Sequence, residues 1–360
     1  MRVRRPLVAE TQHASGGARK RPRVYWFERW HPSLDDALHE LPEGETCSHD
    51  LLKLLADNPS PARKRIALVT ERDQPIGVVA LRRRNWHWDL VTEGVAPAAF
   101  PPVAASREVD VLSALGLFVW VNEWERLVPQ DRNVHFVQYE PIFRASTRVD
   151  FDAYWRDHGN TNSIKKARKR CEALGSVSLE VDAPDAAVWT VERWEQAWAG
   201  DSWAETTAAP DIKAAARYLT ESRKYHAFRL MIDEKPVAGL NTFVRGNALV
   251  MANSGRDPEF DRARPGVLLD ELFFRWSANS PYERVDLGGG FDYKARWSDP
   301  DGVRARFSVA PSHLAAARFG LVAARWMKER ALSRARREEQ AVIVGASLLG
   351  LDPAEALRWF

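Results

Sequence analysis

The chain has 360 residues, 45% hydrophobic and 28% charged, enough to bury the cores of two ordinary domains and too apolar for a disordered chain. Its 52 Lys and Arg against 49 Asp and Glu leave a net charge of +3, so no global field marks a nucleic-acid or membrane partner and any basic surface must be local. Two cysteines, Cys47 and Cys171, build neither a disulfide framework nor a metal site, which fits a reducing, cytoplasmic compartment, and no run approaches the roughly 20 apolar residues of a membrane span.

Residues 1–23 are basic, with Arg2, Arg4, Arg5 and Arg19 to Arg23, but lack an apolar h-region, so they read as a flexible tail and not as a secretory signal. A repeat organises the rest of the chain. Residues 66–94 align without a gap on residues 227–255: Pro75 falls on Pro236 and Gly94 on Gly255, an offset of 161 (236 − 75). Each copy reads as an apolar run, a charged turn ending in Pro, a second apolar strand, a tight turn at Asn85 or at Gly246-Asn247, and a third strand. That is an antiparallel meander. A polar, Pro-containing loop then leads to a helix, with Leu112, Leu115 and Val119 on its stripe in the first copy and Leu269, Leu272, Phe273 and Trp276 in the second.

Between the copies lie three helical segments. The first carries Ile164, Ala167, Cys171 and Leu174 on one stripe and ends at Gly175; the second carries Ala187, Val191, Trp194 and Trp198; the third is Ile212 to Leu219. After the second helix of the repeat a strand, Arg284 to Leu287, runs into Gly288-Gly289-Gly290, and residues 311–360 read as a basic helical tail. A helix that comes after a meander and returns to a strand gives a mixed α/β fold, a mixed sheet with helices on its faces. Fifteen Trp is a high number; exposed ones would stack on sugar rings or nucleobases, buried ones pack helices.

The stretches 227–260, 263–277 and 285–297, with the basic run Asn160 to Gly175 upstream, resemble the tandem GNAT (GCN5-related N-acetyltransferase) acyltransferases, including the Fem peptidyltransferases and the acetyltransferase-like proteins of bacterial cellulose and exopolysaccharide synthesis. The resemblance implies two GNAT-like folds side by side, a domain at 24–148 and an acyltransferase domain at 149–310, then the 311–360 extension. It also implies an acyl-CoA, carrier-protein thioester or ester donor, attack by an amine of a sugar or peptide precursor, and no metal. In that family the third meander strand splays from its neighbour and opens a slot for the donor. The loop to the next helix offers N–H groups to the donor's pyrophosphate.

Here that loop is 255–266. Ser254, Gly255, Arg256, Arg262, Arg264 and Gly266 are the expected donor-binding residues, with Pro265-Gly266 opening the helix. The loop does not spell the family's pyrophosphate signature, because Gly266 stands only two positions after Arg264 and Leu268 replaces the second small residue. An aminoacyl-tRNA or a carrier-protein thioester needs less of that loop.

The densest constellation is Asp286, Gly288, Gly289, Gly290, Asp292, Tyr293 and Lys294. A Gly-rich turn lets backbone approach a ligand, and a Tyr-Lys pair beyond it can donate to an oxyanion or protonate a leaving group. The Fem-type resemblance places an aromatic-Lys pair there at the acyl-donor end, so Lys294, Tyr293, Asp286 and Asn253 are the catalytic candidates. A strand-ending turn with an exposed Lys would look the same. Asn241, mid-strand in an apolar run, and Asp292 are acceptor-pocket candidates, the former equally explained by bonding within the sheet. Lys165, Lys166, Arg168, Lys169 and Arg170 cover one helix; Lys165, Arg168 and Lys169 are assigned to substrate binding. Nucleotide phosphates, a tRNA backbone or an anionic membrane surface would all suit them, as would plain solvation. No aromatic residues interleave with these bases to read sequence, so DNA is not an expected partner.

His31-Pro-Ser-Leu-Asp-Asp has the His-four residues-Asp spacing of glycerolipid acyltransferases but none of the rest of that fold, and His226 reads as a strand-boundary residue. His-Glu-x-x-His, Cys-x-x-Cys, Gly-x-Ser-x-Gly and Walker sequences are absent from the chain. The alternatives to the acyl-CoA reading are an aminoacyl-tRNA-dependent transferase and a degenerate, non-catalytic binding module.

Overall fold

The computed structural model describes residues 22–315 and 344–345, apart from 44–46, 85–86, 96–99, 126–127, 159, 198–208, 290–293 and 296. The first half runs β1 (Arg23–Phe27), α1 (Pro32–His39), α2 (His49–Asp57), β2 (Lys64–Glu71), β3 (Gln74–Arg84), β4 (His87–Leu90), α3 (Glu108–Ala114), β5 (Val119–Trp124) and β6 (Val134–Ser146). Two helices, α4 (Phe151–Asp157) and α5 (Thr161–Glu172), lead into the second half. That half runs β7 (Val177–Val181), α6 (Ala186–Ala197), α7 (Ala209–Glu221), β8 (Tyr225–Ile232), β9 (Lys235–Arg245), β10 (Ala248–Arg256), a 3-10 turn at Pro258–Ala263, α8 (Pro265–Ala278), β11 (Arg284–Gly289) and β12 (Pro300–Val309).

The repeat is physical. The turns Arg72-Asp73 and Asp233-Glu234 both hold two non-glycine residues at positive φ, between +45° and +65°, the two-residue turn whose twist matches its strands. Each hairpin then slips register one step in, between Val69 and Thr70 in the first copy and between Leu230 and Met231 in the second. The cause is the same in both: Pro75 lies opposite Thr70 and Pro236 opposite Met231, and proline has no N–H to give the ladder. The helices after the meanders differ. α8 is 14 residues long, opens on Pro265, and buries Leu268, Leu269, Phe273 and Phe274, whereas α3 has 7 residues. Leu112 lies in α3, but the expected stripe stops at Leu115, since Gly116 takes φ +63° and ends the helix, and Val119 already begins β5.

The strand order is β1-β2-β3-β4-β5-β12-β6-β11-β10-β9-β8-β7. β12, the last long strand of the second half, lies between β5 and β6, while β6 lies between β12 and β11, so each half inserts a strand into the other and one sheet runs through both. The sequence suggests two sheets side by side. The exchange joins them. Where the sequence reads as a helical tail, residues 312–315 form a helical turn and Val344–Gly345 pairs instead with Gln138 and Val137 of β6; the β-branched Val342-Ile343-Val344 run favours that extended form. The tail's basic residues lie outside the described residues.

Among the described residues there are three large cores on the two faces of the sheet and a small fourth cluster of Phe118, Trp120, Phe136, Ala310 and Ala315. The first is shared: Ile66, Val78 and Ala80 from one half and Ala227, Phe243 and Val250 from the other meet α1, α2, α6 and α7. The opposite face carries one core per half, α3 with Phe307 and Val309 on the first and α5 with α8 on the second. Most tryptophans whose burial is described pack inside: Trp88, Trp120, Trp124, Trp155 and Trp297 are buried and Trp194 packs against the shared core; Trp198 lies outside the described residues. No described helix is long and apolar enough to cross a membrane.

α7 is tied to the first half by charge. Asp211, fully buried, accepts from Arg82 Nη1 at 3.2 Å, Lys64 Nζ at 2.7 Å and Asn58 Nδ2 at 2.8 Å. Arg82, equally buried, also donates to the carbonyls of Val91 and Glu93, and Lys64 to those of Leu55 and Asn58.

Candidate functional site

Both halves contain one parallel strand pair, and both pairs part early. β4 and β5 are in register only at Trp88–Val119 and Asp89–Trp120; β10 and β11 only from Ala248–Arg284 to Val250–Asp286. Beyond Val250, β10 bulges between Met251 and Asn253 and stays with β9, whereas β11 continues toward β6, meeting Ile142 at Gly289. Two strands that part leave backbone groups facing a slot, and a bulge re-aims the side chains at its edge.

On the β10 side of the slot, Asn253 is buried and its Oδ1 accepts from Tyr225 Oη at 3.1 Å and from Asn241 Nδ2 at 3.1 Å, with Asn241 Nδ2 also donating to Ala187 O at 2.9 Å. Asn241 and Asn253 thus form one buried polar cluster across the β9–β10 ladder, and burial raises the Tyr225 phenol, which stays a donor. Ser254 is exposed. Gly255 faces α6: a Cβ there would stand 2.6 Å from Thr190 O and Arg193 Cβ and 2.7 Å from Trp194 N. Backbone atoms cannot swing aside. Gly255→Ala is therefore expected to lift α6 from the sheet and cost about 1–3 kcal/mol, read by urea denaturation. The paired Gly239 lies as close to α6, but its first contact is the Thr190 hydroxyl, a side-chain atom.

The loop residues spread along the entrance. Arg256 is held by Asp261 at 2.5 Å, Arg262 and Arg264 are exposed, and Arg264 adopts φ +60° as the residue before α8 without capping it by its side chain. A Cβ at Gly266 would meet nothing within 4 Å, so the first turn of α8 borders open space. One turn on, Asp270 is half-buried and burial pushes its carboxyl up to about 7. An acid raised above its ordinary 3.8 holds in the folded state a proton that the unfolded chain releases, so stability falls as pH rises from about 4 to 7. Asp270→Asn is expected to remove this slope of up to about 1.4 kcal/mol per pH unit, matching the parent at pH 4 and exceeding its stability at pH 8 in urea titrations.

On the β11 side, Asp286 is buried and accepts from Arg144 Nε at 2.8 Å and Arg245 Nη2 at 3.3 Å; its Oδ1 accepts the Gly288 N–H at 2.7 Å. Gly288 takes φ +69°, and a Cβ there would lie 3.4 Å from Lys294 Nζ and 3.8 Å from Arg304 Nη1. Lys294 therefore rests over the turn that Asp286 fastens. Next to it Glu140 of β6 pairs with Arg304 and, at 3.4 Å, Arg306 of β12. Burial pushes the Glu140 carboxyl up, but Arg306, Arg304 and Lys294 together hold it below its ordinary value. Tyr293, Asp292 and Gly290 lie outside the described residues.

The structure brings Asn241 and Asn253 together on one side of the slot, and Asp286, Gly288 and Lys294 on the other. The basic helix stands apart from both. Its Lys165, Lys166, Lys169 and Arg170 are exposed or half-buried, while Arg168 pairs with buried Glu271 of α8 and, at 3.8 Å, with Glu172, so Arg168 fastens α5 to α8. Arg170 reaches the carbonyl of Arg262 at 3.2 Å, which makes the helix continuous with the loop before α8. Sequence reasoning misses Glu125, Arg144, Arg245, Glu140 and Asp270. Arginines and acids scattered over 161 residues (286 − 125) give no local pattern, and Asp270 sits among the apolar residues of a helix without any motif.

Other candidates resolve structurally. His31 accepts from Ser33 N at 3.2 Å as the cap of α1, and Asp35, the neighbour of the motif's Asp36, binds Trp30 and Lys53. His226 lies 2.8 Å from Asp182 and 2.8 Å from Tyr282. A cavity of about 450 Å³ lined by Arg144, Arg148, Glu283, Arg284 and Asp301 opens beside the start of β11. Burial pushes the Cys47 thiol up to about 12.

Residues 159–295 match the family model described as acetyltransferase (GNAT) domain. Among solved structures, the chain is similar to FemX at 10% identity, covering 81% of this chain and 99% of that one with a TM-score of 0.43. A tandem GNAT protein from the clavulanic acid biosynthesis pathway gives 11% identity, 80% and 98% coverage and a TM-score of 0.42. A GCN5-related N-acetyltransferase from Kribbella flavida gives 11%, 80% and 72%, and 0.40. No curated protein matches.

Proposed function

We propose, from the match of residues 159–295 to the acetyltransferase (GNAT) domain model, that this protein transfers an acyl group from a thioester donor, acyl-CoA or an acyl-carrier protein, to an amine of a sugar or peptide precursor, in cell-envelope or exopolysaccharide synthesis. The observation that carries the reading is the parting of β10 and β11 after Val250 and Asp286, with Asn253 on one wall and Lys294 over the other. The donor's thioester lies in that slot, its phosphates toward the first turn of α8 beside Arg262 and Arg264. The amine nitrogen attacks the thioester carbon, the C–S bond breaks, the ammonium gives up a proton and the thiolate takes one.

Lys294 donates to the oxyanion or to the leaving sulfur. Holding amine and thioester at attack distance supplies up to roughly 7–11 kcal/mol. The test is binding and turnover: purified protein is screened by thermal shift and mass spectrometry against acetyl-CoA, longer acyl-CoAs and acyl-carrier protein, with amine acceptors added. A shift with acyl-CoA and release of free thiol support the reading; no shift with any thioester removes it.

One observation favours a second donor. The cations of α5 at Lys165, Lys166, Lys169 and Arg170 continue into the Arg262 loop, a longer basic surface than one pyrophosphate needs. An aminoacyl-tRNA donor would use it, and ribonuclease treatment would then abolish transfer.

A further inference from the structure

Four charged groups close a ring where the two halves meet. Arg144 Nε reaches Asp286 at 2.8 Å, Asp286 meets Arg245 Nη2 at 3.3 Å, Arg245 Nη1 reaches Glu125 Oε1 at 2.9 Å, and Glu125 Oε2 returns to Arg144 Nη2 at 2.9 Å. Three members stand on β6, β9 and β11. Arg144 on β6 and Glu125, one residue beyond β5, come from the first half, and Arg245 and Asp286 from the second. Each carboxylate bridges both guanidiniums, so neither arginine can move without breaking two charge-assisted bonds.

The ring matters because of what Asp286 does with its other oxygen. Asp286 Oδ1 holds the Gly288 N–H at 2.7 Å, Gly288 is in the left-handed region at +69°, and Lys294 Nζ rests over it. Without the Glu125 carboxylate each guanidinium would lose one of its two bonds in the ring, and Asp286 Oδ2, which accepts from both, would no longer have them fixed from the far side. The turn would lose its fixed partner.

We infer that Glu125 is a positioning residue: through Arg144, Arg245 and Asp286, the first half holds the Gly288 turn and with it Lys294 against the slot of the second half. The inference rests on the functional reading above for what the turn is held for, but not for whether it is held. The first half is then part of the working site, although it contributes no reacting group.

The experiment compares Glu125→Gln and Glu125→Asp with the parent as full chains, with Asp152→Asn, which breaks an exposed pair to Arg275, as a control. Amide exchange at Gly288 is expected to speed up about tenfold or more in Glu125→Gln, to recover partly in Glu125→Asp, and to stay at parent rates in Asp152→Asn. With an acyl-CoA and an amine acceptor, kcat of Glu125→Gln is expected to fall by up to about 10²-fold while KM for the donor holds. Unchanged exchange at Gly288 overturns the inference, and so does faster exchange with an unchanged kcat. If no thioester is turned over by the parent, the functional reading fails and the exchange result alone decides whether Glu125 holds the turn.

Discussion

Asp211→Ala is expected to destabilise the fold by about 3–5 kcal/mol, among the largest effects available from one side chain in this protein. The carboxylate is fully buried and is the counter-charge for Arg82, equally buried, and for Lys64. Burial pulls the Lys64 ammonium below its ordinary value and Asp211 pulls it back part of the way; without Asp211, burial and the repulsion of Arg82 act against the single attraction of Asp57, which shifts Lys64 further toward its neutral form. Arg82 has no such escape, because a guanidinium does not deprotonate. The cost is mainly that of leaving Arg82 buried and unpaired. Replacing Asp211, Arg82 and Lys64 together by apolar residues of similar volume is thus expected to cost less than Asp211→Ala alone. Urea denaturation of the two variants decides: a single variant within about 1 kcal/mol of the parent would mean that α7 is held by its apolar face and not by this network.

Lys294→Ala is expected to lower kcat by about 10²–10³-fold without changing stability, the loss typical of one donor to a developing oxyanion. Position is the reason. Lys294 Nζ stands over a glycine turn at the end of β11, where a side chain other than glycine's would meet it, and Arg304 and Arg306 beside it share the buried Glu140. Full activity in Lys294→Ala would remove the lysine from the chemistry and leave the turn as a structural device. A loss of activity accompanied by unfolding would instead assign Lys294 to the Glu140 cluster.

Much of the fold is legible in the sequence because it is local. The gapless repeat at 66–94 and 227–255 marks both meanders, down to the prolines whose missing N–H shifts both hairpins by one residue. The stripe Leu269, Leu272, Phe273 and Trp276 marks α8, and Arg284 to Leu287 marks β11. The first copy's helix reads too long because an apolar stripe shows where side chains pack but not where Gly116 lets the backbone leave. Asn241 and Asn253 read as separate candidates; that they share one hydrogen-bonded cluster depends on the β9–β10 register and its bulge.

By itself, then, the sequence determined both meanders, the helices α5 to α8 and the strand β11, because periodicity, proline and glycine act within a few residues of themselves. Only the tertiary structure decided that β6 and β12 are exchanged, that Gly255 is spent on α6, and that Glu125 closes a ring with Asp286. Strand order and ion pairing join residues far apart in the chain. Their energies depend on which groups leave water together, and no pattern of neighbouring residues records that.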